Sequence, residues 1–317
     1  MSQVQKIDTP AKDSVEAHLR ALGTRPCFFL ANYGNAGDSL IAVATYQLFR
    51  RIGLKWNPLH PRRASRDLSD AVLIYGGGGG LTPQYEHGSH FLAEQAGQVK
   101  QLIVLPHTIV GQEALLKQFG GRATVFCREP RTLEHVQRTA PDCHALPADD
   151  LGLSLNVKDA RRIPAVPLVF LAWLRQRLTR LGTPGLRSNR LRLRATLRRH
   201  LHLAENASQR LNCFREDLES PEGALPPDNV DISAVYGFHV APEIAARMSV
   251  SAMLAHLDAY EEIHTNRLHV AIAGGLLGKR VYMSANNYFK NRAIYEYSLR
   301  ERFPTIYWEE TPFGEGA

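Results

Sequence analysis

The chain has 317 residues, of which 44% are hydrophobic and 22% charged, with a formal net charge of +7. That composition is of the soluble globular kind and the length allows one large domain or two ordinary ones. No apolar run reaches the ~18 residues a spanning helix needs, and no apolar signal-peptide stretch opens the chain, so a cytoplasmic protein is expected. The charge is unevenly placed: eleven arginines and no acidic residue lie within 160–204, so the remainder is net acidic, which argues against a chain that binds nucleic acid as a whole.

Residues 14–22 have helix-forming character. An apolar run at 27–31 predicts a first buried strand, followed by a turn at 32–37 and a helix over 38–52. A second strand at 71–75 runs straight into five glycines at 76–80. A third, at 102–105, ends at Pro106; a fourth, at 123–127, precedes a helix capped near 129–132. Short apolar strands separated by helical segments are βαβ units around a parallel sheet, in which ligands bind beyond the carboxyl ends of the strands. Asn35, Asp38, the glycine run, His107, Thr108, Arg128 and Glu129 all follow such strands.

Between the two halves, Phe170, Leu171, Leu174, Leu178 and Leu181 fall at helical spacing, as do Leu186, Leu193 and Leu197, with a turn at 182–185. This predicts a basic helical hairpin, either a solvated face or a patch attracted to an anionic membrane surface through 161–199. The second half repeats the first: strands at 211–214 and 232–236, a helix over 241–257, a strand around Ile263, a helix over 270–277, a strand at 280–284 and a last helix over 291–302 that could return to the first half. The expected fold is α/β with two Rossmann-like domains facing a cleft, a glycosyltransferase-B-like arrangement, divided as 1–159, 160–204 and 205–317.

The most informative stretch is 264–297. Thr265-Asn266-Arg267-Leu268-His269 opens an apolar, glycine-containing helix. Free backbone N–H groups and the helix dipole favour an anion there. A fixed cation and a titratable imidazole beside that end suit an anionic substrate that needs a proton; the alternative is a helix-start ion pair and a core histidine. Asn35 and Gly37 let backbone approach a ligand, while Asp38 either caps the next helix or faces the ligand. The glycine run, Gly77 and Gly78 included, could present N–H groups to an anion, or be a tight packing turn; it matches neither a P-loop nor a dinucleotide fingerprint. Arg128 and Arg215 each follow a strand and could hold a carboxylate or phosphate bidentately, or form salt bridges. Asp149 follows Pro147, and Lys290 lies in a loop of aromatic and amide residues as a possible phosphate contact. Four scattered cysteines show no CxxC pair, and thirteen histidines show no HxH or HExxH arrangement, so no metal site is expected.

The Arg-Leu-His helix with its later Lys290, the Asn35-Ala36-Gly37-Asp38 segment and the glycine run, in this order, resemble the polysaccharide pyruvyltransferase family over roughly 26–300. An Arg followed by an acid, as in Arg128-Glu129, fits the same pattern; Ala148-Asp149-Asp150-Leu151 departs from the Asp-Pro-Ala common there. The resemblance implies transfer of a pyruvyl group from phosphoenolpyruvate to sugar hydroxyls of a bacterial surface polysaccharide, with a lipid-linked oligosaccharide as acceptor and no cofactor. It also implies phosphoenolpyruvate on the C-terminal side and acceptor on the N-terminal side. On this reading Arg267, with Arg128, Arg215 and Lys290, clamps the donor, His269 is the general acid, and Asp38 or Asp149 accepts a hydroxyl proton. Three other readings are a nucleotide-sugar glycosyltransferase of the same architecture, a non-catalytic membrane-associated scaffold, and a nucleic-acid-binding module, which would bind RNA with a steep salt dependence.

Overall fold

In the computed structural model, residues 15–59, 68–85, 87–163, 210–311 and 313 are described. The predicted arginine-rich hairpin lies outside them. The chain divides into two compact units, Met1–Leu30 with Leu48–Asp150, and Ala31–Gln47 with Leu151–Ala317. Residues 31–47 thus belong with the second unit, so Asn35, Gly37 and Asp38 share a unit with Arg267 and His269, whereas a boundary at 159 puts them with the N-terminal half.

The first unit holds α1 (Val15–Arg20), β1 (Cys27–Leu30), the end of α2 (Ala36–Ile52), β2 (Asn57–Pro58), β3 (Val72–Tyr75), β4 (Gly78–Leu81), α3 (His87–Gln95), β5 (Gln101–Ile109), α4 (Glu113–Phe119), β6 (Ala123–Cys127), α5 (Pro130–Thr139) and β7 (His144–Pro147). Its sheet is parallel in order β2-β1-β3-β5-β6-β7, with β4 also on β5. β3 and β6 are buried at every residue, which is why they read as unbroken apolar runs. Leu73, Tyr75, Leu102, Val104, Phe119 and Val125 share the core.

Two expectations change here, and one strand is added. The third strand does not stop at Pro106; it runs to Ile109, with the register on β6 shifting between Val104 and His107. A bulge is where a strand tolerates a residue without an N–H. The glycine run is not an open loop throughout, because Gly78–Leu81 forms β4 with Gly78 opposite His107. The edge strand β7 escapes a periodicity argument because it is short and only Pro147 is fully buried.

The second unit contains the start of α2, α6 (Val157–Ala160), β8 (Arg210–Asn212), α7 (Ile232–Val235), α8 (Glu243–Asp258), β9 (Glu262–Thr265), α9 (Leu268–Leu276), β10 (Arg280–Ser284), α10 (Lys290–Ile294), a π turn at Tyr295–Leu299, α11 (Arg300–Arg302) and β11 (Ile306–Glu309). Its sheet is parallel in order β11-β10-β9-β8. The predicted strand at 232–236 is a helical turn instead, capped by Asp231, whose carboxylate accepts from the Ala234 N–H at 3.3 Å. A five-residue, mostly apolar run (Ile232-Ser233-Ala234-Val235-Tyr236) fits either element, and the preceding Asp was the deciding signal.

Gly274 and Gly275 set the position of α9. A Cβ on Gly274 would lie 2.6 Å from Val281 Cγ2, and one on Gly275 2.9 Å from Ile306 Cδ1. Without side chains at these points the helix sits directly on the sheet, which fixes its N-terminus beside the carboxyl end of β9.

Candidate functional site

Three strand ends in the second unit converge chemically. Beyond β8 comes Arg215, beyond β9 come Asn266 and Arg267, and beyond β10 come Asn286, Tyr288, Lys290 and Asn291. This is the edge at which parallel α/β sheets bind ligands.

Arg267 is the N-cap residue of α9 and is nearly buried. Its Nε donates to Asp231 Oδ1 at 3.0 Å, its Nη2 to Asp231 Oδ2, and its Nη1 pairs with Asp217 Oδ2 at 2.8 Å. Burial alone would favour losing the proton, but the carboxylates of Asp231 and Asp217 outweigh it and raise its pKa further. Arg215 donates from Nε to Asp217 Oδ1 at 2.7 Å and from Nη2 to Asp217 Oδ2 at 3.2 Å, and its Nη1 pairs with Glu219. Lys290 donates to Glu219 Oε2 at 2.5 Å and lies over the Tyr288 ring, 5.0 Å from its centroid.

Three of the four cations expected to hold an anion, Arg267, Arg215 and Lys290, are therefore brought together, and each already faces carboxylates; Arg128 belongs to the first unit. Glu219 and Asp231 are buried, with side chains 2% and 5% exposed, whereas Asp217 is 34% exposed. Burial raises the Glu219 pKa, and the charges of Lys290 and Arg215 more than reverse it, leaving it below the usual range. For Asp217, burial is again outweighed, by Arg267 and then Arg215, which hold it at about 2. Beneath them, Asn266 Oδ1 accepts from the Arg215 N–H at 2.8 Å, and Asn291 Nδ2 donates to the Asn266 and Ser284 carbonyls. Asn266 Nδ2 and Asn291 Oδ1 are buried without a partner among the described residues.

His269 is half-buried in the first turn of α9. Gly37 lies against it: a Cβ there would be 2.9 Å from His269 Nδ1. Asn35 and Asp38 form a reciprocal capping box at the start of α2. Asn35 Oδ1 accepts from the Gly37 N–H at 2.8 Å, and Asp38 Oδ2 accepts from the Asn35 N–H at 2.9 Å. Asp38 Oδ1 also accepts from Asn32 Nδ2 at 3.1 Å. The Asn-Ala-Gly-Asp segment thus builds a helix start whose smallest residue faces the imidazole. Cys213, just behind, is pushed up to about 12 by burial, so it supplies no thiolate.

The remaining predicted residues lie in the first unit. Arg128, 1% exposed, donates from Nη1 to Asp150 Oδ2 at 2.7 Å and from Nε to Thr108 Oγ1 at 2.9 Å. Asp149 is half-buried beside that pair. The glycine run is held by His107, whose Nδ1 faces the Gly76 carbonyl at 3.2 Å and whose Nε2 accepts from the Leu81 N–H at 3.2 Å. Gly77 and Gly78 are buried. Sequence reasoning missed Asp217, Glu219 and Asp231. The signal for Asp231 was its N-cap position; for the other two it was the alternation of acids with Arg215 in Arg215-Glu216-Asp217-Leu218-Glu219.

The family model for polysaccharide pyruvyl transferase matches residues 35–288. The chain belongs to this family. As a polysaccharide pyruvyl transferase family member it is a transferase by class, and the match spans the site residues from Asn35 to Tyr288, ending just before Lys290 and Asn291. A solved structure of a functionally uncharacterized protein from Klebsiella pneumoniae is similar, with 29% identity and a TM-score of 0.70, over 93% of this chain and 97% of that one. Comparison with curated proteins gives no match. Among the described residues no helix is long and apolar enough to cross a membrane, and no cluster of His, Cys, Asp or Glu could hold a metal ion.

Proposed function

We infer that the protein transfers the pyruvyl group of phosphoenolpyruvate to two hydroxyls of a sugar in a lipid-linked polysaccharide repeat unit, forming a cyclic ketal. The observation that carries this reading is the convergence of Arg267, Arg215 and Lys290 with the half-buried His269 at one sheet edge, in a member of this family. A small, multiply charged anion needs fixed cations while its charge redistributes. His269, as imidazolium, delivers a proton to the methylene carbon of phosphoenolpyruvate, and the central carbon becomes oxocarbenium-like. A sugar hydroxyl adds there and loses its proton. The C–O bond to phosphate then breaks, and a second hydroxyl adds and loses its proton to close the ring. One proton enters the methyl group and two leave the hydroxyls, the second balancing the departing hydrogen phosphate.

Asp38 is assigned as acceptor of a hydroxyl proton because it shares the unit and flanks Gly37. Asp149 is the second choice. Arg128 is placed in a supporting role, since Asp150 and Thr108 already engage it. The two parallel sheets support reading the units as Rossmann-like halves of a glycosyltransferase-B-like enzyme, and a lipid-linked acceptor supports work at the inner face of the cytoplasmic membrane. The test is mass spectrometry of oligosaccharide acceptors incubated with phosphoenolpyruvate. Acceptor carrying an added pyruvyl group is expected; modification from a sugar nucleotide instead would reassign the protein to the glycosyltransferases.

A further inference from the structure

Asp217 differs from the other two carboxylates at the site. Glu219 is buried beneath Arg215, Lys290 and Asn286, and Asp231 is buried beneath Arg267 as the cap of α7. Asp217 is on the exposed side, in a loop whose next residue, Leu218, is 74% exposed. Its two oxygens meet two guanidinium groups at once. Arg215 engages it side-on through Nε and Nη2, at 2.7 and 3.2 Å, and Arg267 adds Nη1 at 2.8 Å. A planar, two-oxygen monoanion held by a fork and a third donor is the geometry of carboxylate recognition by arginine.

We propose that the Asp217 carboxylate occupies the seat of the substrate's own carboxylate and must leave it for the substrate to bind. The inference rests on the pyruvyl-transfer reading for the identity of that substrate. With Asp217 in place, three cations face three carboxylates, so an arriving dianion or trianion meets no net attraction. When Asp217 swings out, Arg215 and Arg267 take the substrate carboxylate, with Lys290 left toward the phosphate. In turning out, the side chain also gives up the bond that Asp217 Oδ1 accepts from the Glu219 N–H at 3.1 Å, while Asn287 holds the Leu218 and Glu219 carbonyls, so the loop stays anchored. Asp217 is then a specificity-determining residue. It excludes anions that cannot outcompete an intramolecular carboxylate.

The test is calorimetric titration of the full chain and its Asp217→Asn and Asp217→Ser variants with pyruvate, inorganic phosphate and phosphoenolpyruvate. A seat freed of its internal competitor binds more tightly in proportion to the fraction it was occupied, so pyruvate and phosphoenolpyruvate are expected to tighten about tenfold or more in both variants, and phosphate much less. Circular dichroism confirms that the variants fold. Unchanged or weakened pyruvate affinity would make Asp217 merely an orienter of the two arginines and overturn the proposal. Equal tightening of all three probes would also overturn it, since that reports lost negative charge and no carboxylate seat. The pyruvyl-transfer reading is scored separately, by turnover: tightening without any turnover of phosphoenolpyruvate leaves the seat and removes the reaction, whereas turnover without tightening does the reverse.

Discussion

Gly37 backs directly onto His269. A single methyl group at Gly37 would come within 2.9 Å of the imidazole Nδ1 and 3.0 Å of its Cβ. Two motifs more than two hundred residues apart in sequence are therefore one device, a capped helix start that leaves room for a histidine at another helix start. Gly37→Ala is expected to shift the ring by a fraction of an ångström to an ångström and to lower kcat by about a hundredfold, the usual cost of misplacing a catalytic group by that amount. KM for phosphoenolpyruvate should change much less. Steady-state kinetics and a thermal melt check this, and an unaltered kcat would separate the glycine from the chemistry.

The Arg128–Asp150 pair is expected to matter for stability. Both side chains are essentially inaccessible, 1% and 0% exposed. Removing one partner leaves a buried charge alone, which costs about 3–5 kcal/mol. Arg128→Met and Asp150→Asn should each lower the urea midpoint strongly, and the double variant should recover part of the loss. A direct donor-binding role for Arg128 would instead show as a raised KM with the midpoint little changed.

The acid side of the stability profile follows from Asp217 and Glu219. The folded state lowers Asp217 from 3.8 to about 2 and Glu219 below 4.5. Between these values the unfolded chain binds more protons than the folded one, so stability rises with pH there. The contribution is fully present above the unfolded values and is lost as pH falls toward about 2. Glu129, raised by burial, has the opposite sign and weakens the fold as pH rises through its folded value. Denaturation across the acid range should show a shallower pH slope for Asp217→Asn than for the wild type.

Most strands and the Arg267 helix were legible in the sequence because buried parallel strands are short unbroken apolar runs and because Gly274 and Gly275 lie in an otherwise apolar helix. The cations of the site were legible for the same reason: Arg215, Arg267 and Lys290 each follow a strand. Their counter-charges were not. Asp231 pairs with Arg267 across 36 residues and Glu219 with Lys290 across 71, and no local pattern reports such distances. The strand expected at 232–236 failed because a short apolar run lacks a period, and the capping Asp231 was not weighed. The second half of the glycine run is a strand edge held by His107, an element that a run of one residue type gives no period to announce.

The central claim is tested most directly by phosphate release from phosphoenolpyruvate with lipid-linked oligosaccharide extract as acceptor, comparing wild type with His269→Ala and Arg267→Ala. The account expects acceptor-dependent release by the wild type and its loss in both variants, with His269→Ala still folded and still binding phosphoenolpyruvate. Full release by His269→Ala, or no release by the wild type with any acceptor, would contradict it.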